Sequence, residues 1–118
     1  MRAGFDPALR RKVWLHLRPA GAPAVSAVRR ELSRPARLRW LNGGHLETQQ
    51  WDAYEAVEGA PLLGLGSNPR AWAEVRFWLL DLAEELVAAL KAPATPPVLA
   101  LERVYISVEG RAVLLEFP

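Results

Sequence analysis

The chain has 118 residues, 51% of them hydrophobic and 24% charged, with no cysteine. That length leaves room for one hydrophobic core, and the lack of thiols excludes a disulfide scaffold, a thiolate zinc site and a cysteine nucleophile. Net charge is +2, but residues 1–40 hold ten Lys or Arg against Asp6 and Glu31, while the remaining 78 residues hold five basic and eleven acidic groups. The two parts should attract each other, so the arginines are read as solvated or paired with the acidic remainder rather than as a nucleic-acid surface.

The opening MRAGFDPALRRK has a turn at Asp6-Pro7 and lacks the apolar run of a signal peptide. No later stretch reaches the ~20 apolar residues of a membrane span, so a soluble, cytoplasmic chain is expected. Val13 to Leu17, closed by Pro19, reads as a strand. Val25, Val28 and Leu32 follow helical spacing, giving a short helix that Pro35 ends near Arg34. Residues 38–41 and 51–57 read as strands of a hairpin, with Asn42-Gly43-Gly44 as its tight turn. Residues 59–68, with three glycines and a proline among Leu62, Leu63 and Leu65, read as an irregular connection.

The clearest element is a helix over residues 69–91, with Asn68 as its cap, Pro69 in the first turn and Lys91 at its negative end. Trp72, Val75, Leu79, Leu82, Leu86 and Leu90 make one apolar stripe, widened by Phe77, Trp78, Ala83 and Val87. Asp81, Glu84 and Glu85 fall on the polar side and read as a solvated face. Residues 92–97 hold three prolines and should be extended, and residues 104–108 and 112–117 flank Glu109-Gly110 as a second hairpin. The expected class is α+β: short antiparallel strands and hairpins, one short helix and one long amphipathic helix, in a single domain over 1–118.

Candidate sites are sparse. His16 and His45 are the only histidines and lie too far apart in sequence for a local metal motif. Gly64-Leu65-Gly66 lacks the third glycine of a dinucleotide fingerprint and reads as a turn. The five tryptophans (Trp14, Trp40, Trp51, Trp72 and Trp78) are more simply core or interface than base-stacking platforms.

Four segments, in order, resemble a protein kinase domain of the bacterial serine/threonine type. YEAVEGAPL (54–62) is similar to the hinge pattern M-E-Y-V-E-G-x-x-L. RVYISVEGRAVLLEFP (103–118) is similar to N-I-L-V-T-x-D-G-x-V-K-L-x-D-F-G. WAEVRFWLLDLAEELVAAL (72–90) sits where the family has its long αE helix, and VWLHLR (13–18) falls where it has V-A-I-K-x-L. The resemblance implies a partial kinase-like fold, with residues 1–58 resembling the small lobe and 59–118 part of the large one, truncated at the D-F-G equivalent. It also implies that the activation loop and later large-lobe helices are absent.

Phosphoryl transfer in that family needs a strand lysine on the phosphates, an aspartate to orient the hydroxyl, and an asparagine and aspartate for magnesium. By resemblance those positions hold His16, Val98, Arg103 and Glu116, so none keeps the family's residue. The H-R-D triplet becomes Pro96-Pro97-Val98, and the first twelve residues carry no Gly-rich loop. The resemblance therefore implies no kinase activity and no expected cofactor, ATP-Mg included. Three expectations follow: a non-catalytic, pseudokinase-like module that binds a protein or self-associates through Trp72, Phe77 and Trp78; a weak nucleotide-binding remnant at a hinge formed by Tyr54 (the gatekeeper), Glu55 and Val57; or nucleic-acid or anionic-surface binding by the arginine-rich first 40 residues, which no accompanying motif favours.

Overall fold

A computed structural model describes residues 2–6, 11–65, 69–91 and 99–117. The fold is α+β, and the chain divides into two compact units: Met1–Leu32 with Arg39–Ala56, and Ser33–Leu38 with Val57–Pro118.

The first unit is a four-stranded antiparallel sheet in the order β1-β2-β4-β3, built from β1 (Arg2–Asp6), β2 (Arg11–Pro19), β3 (Trp40–Leu46) and β4 (Gln49–Glu55). The strand expected at residues 13–17 is the middle of β2. β1 carries no sequence signal, because RAGFD has no alternating apolar pattern; its backbone pairs with β2 over Arg2↔Leu15 to Asp6↔Arg11. Main-chain pairing makes this strand without a side-chain signal.

The expected tight turn at Asn42-Gly43-Gly44 is not a turn. These residues lie inside β3, and the reversal is the two-residue Glu47-Thr48 link between Leu46 and its partner Gln49. The glycines serve a close approach instead. A Cβ on Gly44 would stand 2.8 Å from the Trp51 indole, and one on Gly43 would stand 2.9 Å from an Asp52 carboxylate oxygen. The bare strand makes room for bulky groups on β4, a use of strand glycine that resembles a turn signal in sequence.

The short helix is only one turn, α1 (Ala27–Arg30), rather than a helix reaching Arg34. Ser26 caps it by accepting a hydrogen bond from the Arg29 N–H at 3.2 Å. The expected apolar face is also turned around: Val28 is exposed, and Arg29 is buried with its guanidinium 5.3 Å from the centre of the Tyr54 ring. A cation over an aromatic face with an aliphatic stem is a workable inward residue, which a hydrophobicity pattern does not register.

The second unit holds β5 (Gly59–Pro61), α2 (Trp72–Lys91), β6 (Val104–Ser107) and β7 (Ala112–Leu114), with the strands ordered β5-β6-β7 and all antiparallel. Its core is Trp78, Val104, Ile106, Ala112 and Leu114, with Leu62, Leu65, Val75 and Leu82 packed against it. The connection expected to be irregular contains β5 and a 3-10 turn over Leu62–Leu65, which delivers two of its leucines to that core. The hairpin about Glu109-Gly110 forms as expected, with Gly110 at φ +82 and its N–H donating to the Ser107 carbonyl at 2.9 Å. Leu115 and Phe117, read as continuing the last strand, are buried beyond its end.

α2 begins at Trp72 rather than Pro69. The Ala71 carbonyl accepts from the N–H groups of Glu74 and Val75, at 3.0 and 3.1 Å, so the helix opens on a backbone carbonyl two residues past the proline. The proposed Asn68 cap, the extended stretch 92–97 and Val98 lie outside the described residues. The single apolar stripe separates into two lines. Val75, Trp78, Leu82, Glu85 and Ala89 turn inward, whereas Trp72, Leu79, Leu86 and Leu90 are exposed.

Gly59 sets the strand spacing in this unit. A Cβ there would lie 1.9 Å from the Ile106 carbonyl oxygen, and no side-chain rearrangement relieves a clash with backbone. Gly59→Ala is expected to separate β5 from β6 and cost about 2 kcal/mol or more in urea unfolding. Gly21→Ala, where φ is +85 but nothing lies within 4 Å, should cost only about 1–2 kcal/mol, from backbone conformation alone. Equal losses in the two variants would refute the close-approach explanation.

Candidate functional site

The positions singled out by the kinase resemblance fall in both units. His16 lies on β2 opposite Asp52. Tyr54 is buried on β4 beneath Arg29, and Glu55, exposed at the strand's end, donates its N–H to the Arg39 carbonyl at 2.9 Å. Val57, Arg103 and Glu116 belong to the second unit. Within it the Leu115 N–H donates to the Arg103 carbonyl at 2.7 Å, which brings the ends of that segment together. The Glu116 carboxylate accepts from Arg37 at 2.8 Å, so the acid at the D-F-G equivalent is held in an ion pair.

In the first unit Asp52 organises one face of the sheet. One oxygen of this buried carboxylate accepts from Arg18, at 3.0 Å from Nε and 2.7 Å from Nη2, and the other accepts from the Trp40 indole N–H at 2.9 Å. Arg18 also donates to the Pro23 carbonyl. Above this network is an open cleft of about 400 Å³, whose lining includes Arg18, Arg30, Trp40, His45 and Trp51. Arg30 lies 5.7 Å from the centre of the Trp40 ring, and Arg18 and Trp40 both donate to Asp52, so much of the lining is engaged internally.

The second unit contains a larger polar cluster, on the α2 face expected to be solvated. Asp81 and Glu85 are buried, one turn apart on the inward line; only Glu84 is exposed. Glu85 accepts from Arg34 at 2.8 Å and Arg37 at 2.9 Å, and the Arg37 and Glu85 side chains are each 1% exposed. Arg37 continues to Glu116, making a four-residue chain of opposite charges. Asp81 accepts from Arg111 through both oxygens, at 2.7 to 3.1 Å, and from the Ala112 N–H at 3.1 Å. The Arg111 hydrogen bonds are the main cause holding the Asp81 carboxyl below the ordinary carboxylate range, against the opposing effect of burial. The available sequence signal was the spacing of 81 and 85 with Trp78 and Leu82 on one helical face, together with the arginine surplus before residue 40. The arginines expected to pair internally do so at Arg18, Arg34 and Arg37.

These buried carboxylates leave α2's other side as the surface with the strongest claim to a role. Trp72 is 68% exposed and Leu90 85%, with Phe77, Leu79, Leu80, Leu86 and Val87 also open. Trp78, expected to join Trp72 and Phe77 at an interaction surface, is instead 6% exposed in the core against β6 and β7. Its indole fills the space between helix and hairpin, which a count of aromatics along the stripe does not reveal. Phe77 is exposed but carries the Arg76 guanidinium 4.9 Å from its ring centre. Among the described residues, no group of three His, Asp or Glu side chains is placed to hold a metal ion, and no helix is long and apolar enough to cross a membrane. Compared with known proteins, the chain matches no family model and no curated sequence.

Two outcomes follow from the charge cluster. Truncating Glu85 takes from the buried Arg37 one of its two carboxylates and from Arg34 its partner, so Glu85→Ala should cost about 3 kcal/mol or more in urea unfolding. Glu74→Ala, which removes only the exposed Arg70 pair at 3.6 Å, should cost less than about 1 kcal/mol. Comparable losses would show that burial of the cluster has no energetic consequence. Asp81 should contribute to acid unfolding. A carboxyl whose folded pKa is lowered stabilises the fold above its unfolded value of about 3.9, and the contribution is lost as pH falls through the folded value. The stability difference between wild type and Asp81→Asn should therefore be constant near neutrality and shrink below about pH 4. A difference that stays constant down to the folded value and below would refute this assignment.

Proposed function

We propose that the protein is a non-catalytic, pseudokinase-like interaction module that uses the outward face of α2 to bind protein. The observation that carries this reading is the line Trp72, Leu79, Leu86 and Leu90, exposed along a helix whose opposite face is already committed to the core. Contiguous exposed apolar surface of this kind marks interaction sites in soluble domains.

The lineage rests on the ordered resemblance of four segments, and the lack of catalysis on what stands at the positions that would do chemistry. His16 replaces a permanently charged lysine, Arg103 brings a cation where a cation would be bound, and Glu116 is paired with Arg37. An electrostatic clamp on a magnesium triphosphate needs a lysine ammonium at the first of these positions and an uncharged metal ligand at the second, and neither residue type stands there. Fold-level analogy supplies only ancestry here, and the site argues against the ancestral reaction.

Two measurements test the reading. Dilute protein should enhance the fluorescence of an apolar dye, and Leu79→Glu with Leu86→Glu should remove most of that signal while the far-ultraviolet dichroism stays unchanged. An equal signal in both proteins would overturn the interaction role of α2. Incubation with radiolabelled ATP and magnesium should label neither the protein nor a general acceptor; labelling that disappears in His16→Ala or Glu116→Ala would overturn the non-catalytic assignment.

A further inference from the structure

We propose that the occupant of α2's outer face is a second copy of this chain, with the two helices antiparallel about a twofold axis; this rests on the reading of that face as an interaction surface. The exposed line is a regular seam. Trp72, Arg76, Leu79, Ala83, Leu86 and Leu90 are spaced alternately by four and three residues, the heptad spacing with which one helix packs along another. All six are exposed. Leu80 and Val87 widen the seam on one flank, with Glu84 beside them.

The order of side chains selects the direction of pairing. In a parallel pair each residue meets itself: Arg76 would face Arg76, with like charges at close range, and Ala83 would face Ala83, leaving a gap. In an antiparallel pair centred between Leu79 and Ala83, Trp72 meets Leu90 of the second copy, Leu79 meets Ala83, and Arg76 meets Leu86. Large residues then oppose small ones at the centre, and the interaction is repeated by the twofold, as an isologous interface requires. Glu84 of the second copy stands two residues, about 3 Å along the axis, from the level of Arg76. The only charge in the seam thus reaches an opposite charge at its edge, while its aliphatic stem lies on Leu86.

A helix of 20 residues is about 30 Å long, and one seam along it buries less than the roughly 800 Å² per partner of a standard interface. The association is accordingly weak, with a dissociation constant on the order of micromolar.

Sedimentation velocity of the full chain from about 1 μM to 1 mM should show a reversible monomer–dimer equilibrium. Leu79→Glu should abolish the dimer without loss of helical dichroism. Arg76→Glu and Glu84→Arg should each weaken dimerisation about tenfold, and the double variant, which restores opposite charges across the twofold, should recover most of it. Monomer at every concentration, or a dimer unaffected by Leu79→Glu, would overturn the proposal. Weakening by both single variants without recovery in the double would overturn the antiparallel arrangement. If the chain is monomeric while apolar dye binding still depends on Leu79 and Leu86, the second copy is excluded and the interaction role of α2 stands, with a different protein as occupant.

Discussion

α2 is apolar on two sides, and hydrophobicity alone does not say which one a core should cover. Trp72, Leu79, Leu86 and Leu90 would make as good an inner face as Val75, Trp78, Leu82 and Ala89. The buried carboxylates settle the choice. Asp81 and Glu85 lie on the second line, and Arg34, Arg37 and Arg111 meet them there with fixed, directional hydrogen bonds. A helix rotated to bury the other line would leave these carboxylates without those partners and give up the Trp78 packing. Buried ion pairs are a poor source of net stability, because desolvation offsets much of their attraction. Their effect here is to single out one packing among two of similar apolar content, and the exposed seam is the consequence.

The same logic operates in the first unit at smaller scale. Asp52 is buried where Arg18 and the Trp40 indole satisfy both of its oxygens, and Gly43 and Gly44 keep the facing strand bare so that the carboxylate and the Trp51 ring fit. Removing a polar partner from such a site leaves a charge without water or protein to bond, which penalises alternative registers more than it rewards the native one. In each unit, a carboxylate from the later part of the chain is bound by an arginine from the first 40 residues. The uneven distribution of charge along the sequence is thereby converted into specific internal pairs.

The interaction role proposed for α2 and the proposed lack of kinase chemistry draw on different observations. One concerns a surface, the other the identity of side chains at particular positions. Glu116 belongs to the second: in the resemblance it stands where a metal-binding aspartate would, and in the structure it terminates the Arg34–Glu85–Arg37 cluster.

The sequence alone determined the α+β class, the long helix, the last hairpin and the strand around Trp14, because propensity, spacing and turn chemistry agree over short stretches there. It misplaced the first hairpin's reversal, because glycine serves both tight turns and close approach and sequence does not distinguish the two. It missed β1, whose pairing is carried by backbone, and overextended α1, where a cationic residue faces inward. Only the tertiary structure decided which face of α2 is covered, that Trp78 belongs to the core, and that Asp81 and Glu85 are interior charges. Those outcomes depend on arginines 48 and 51 positions before Glu85 and on one 30 positions after Asp81, beyond the reach of any local pattern.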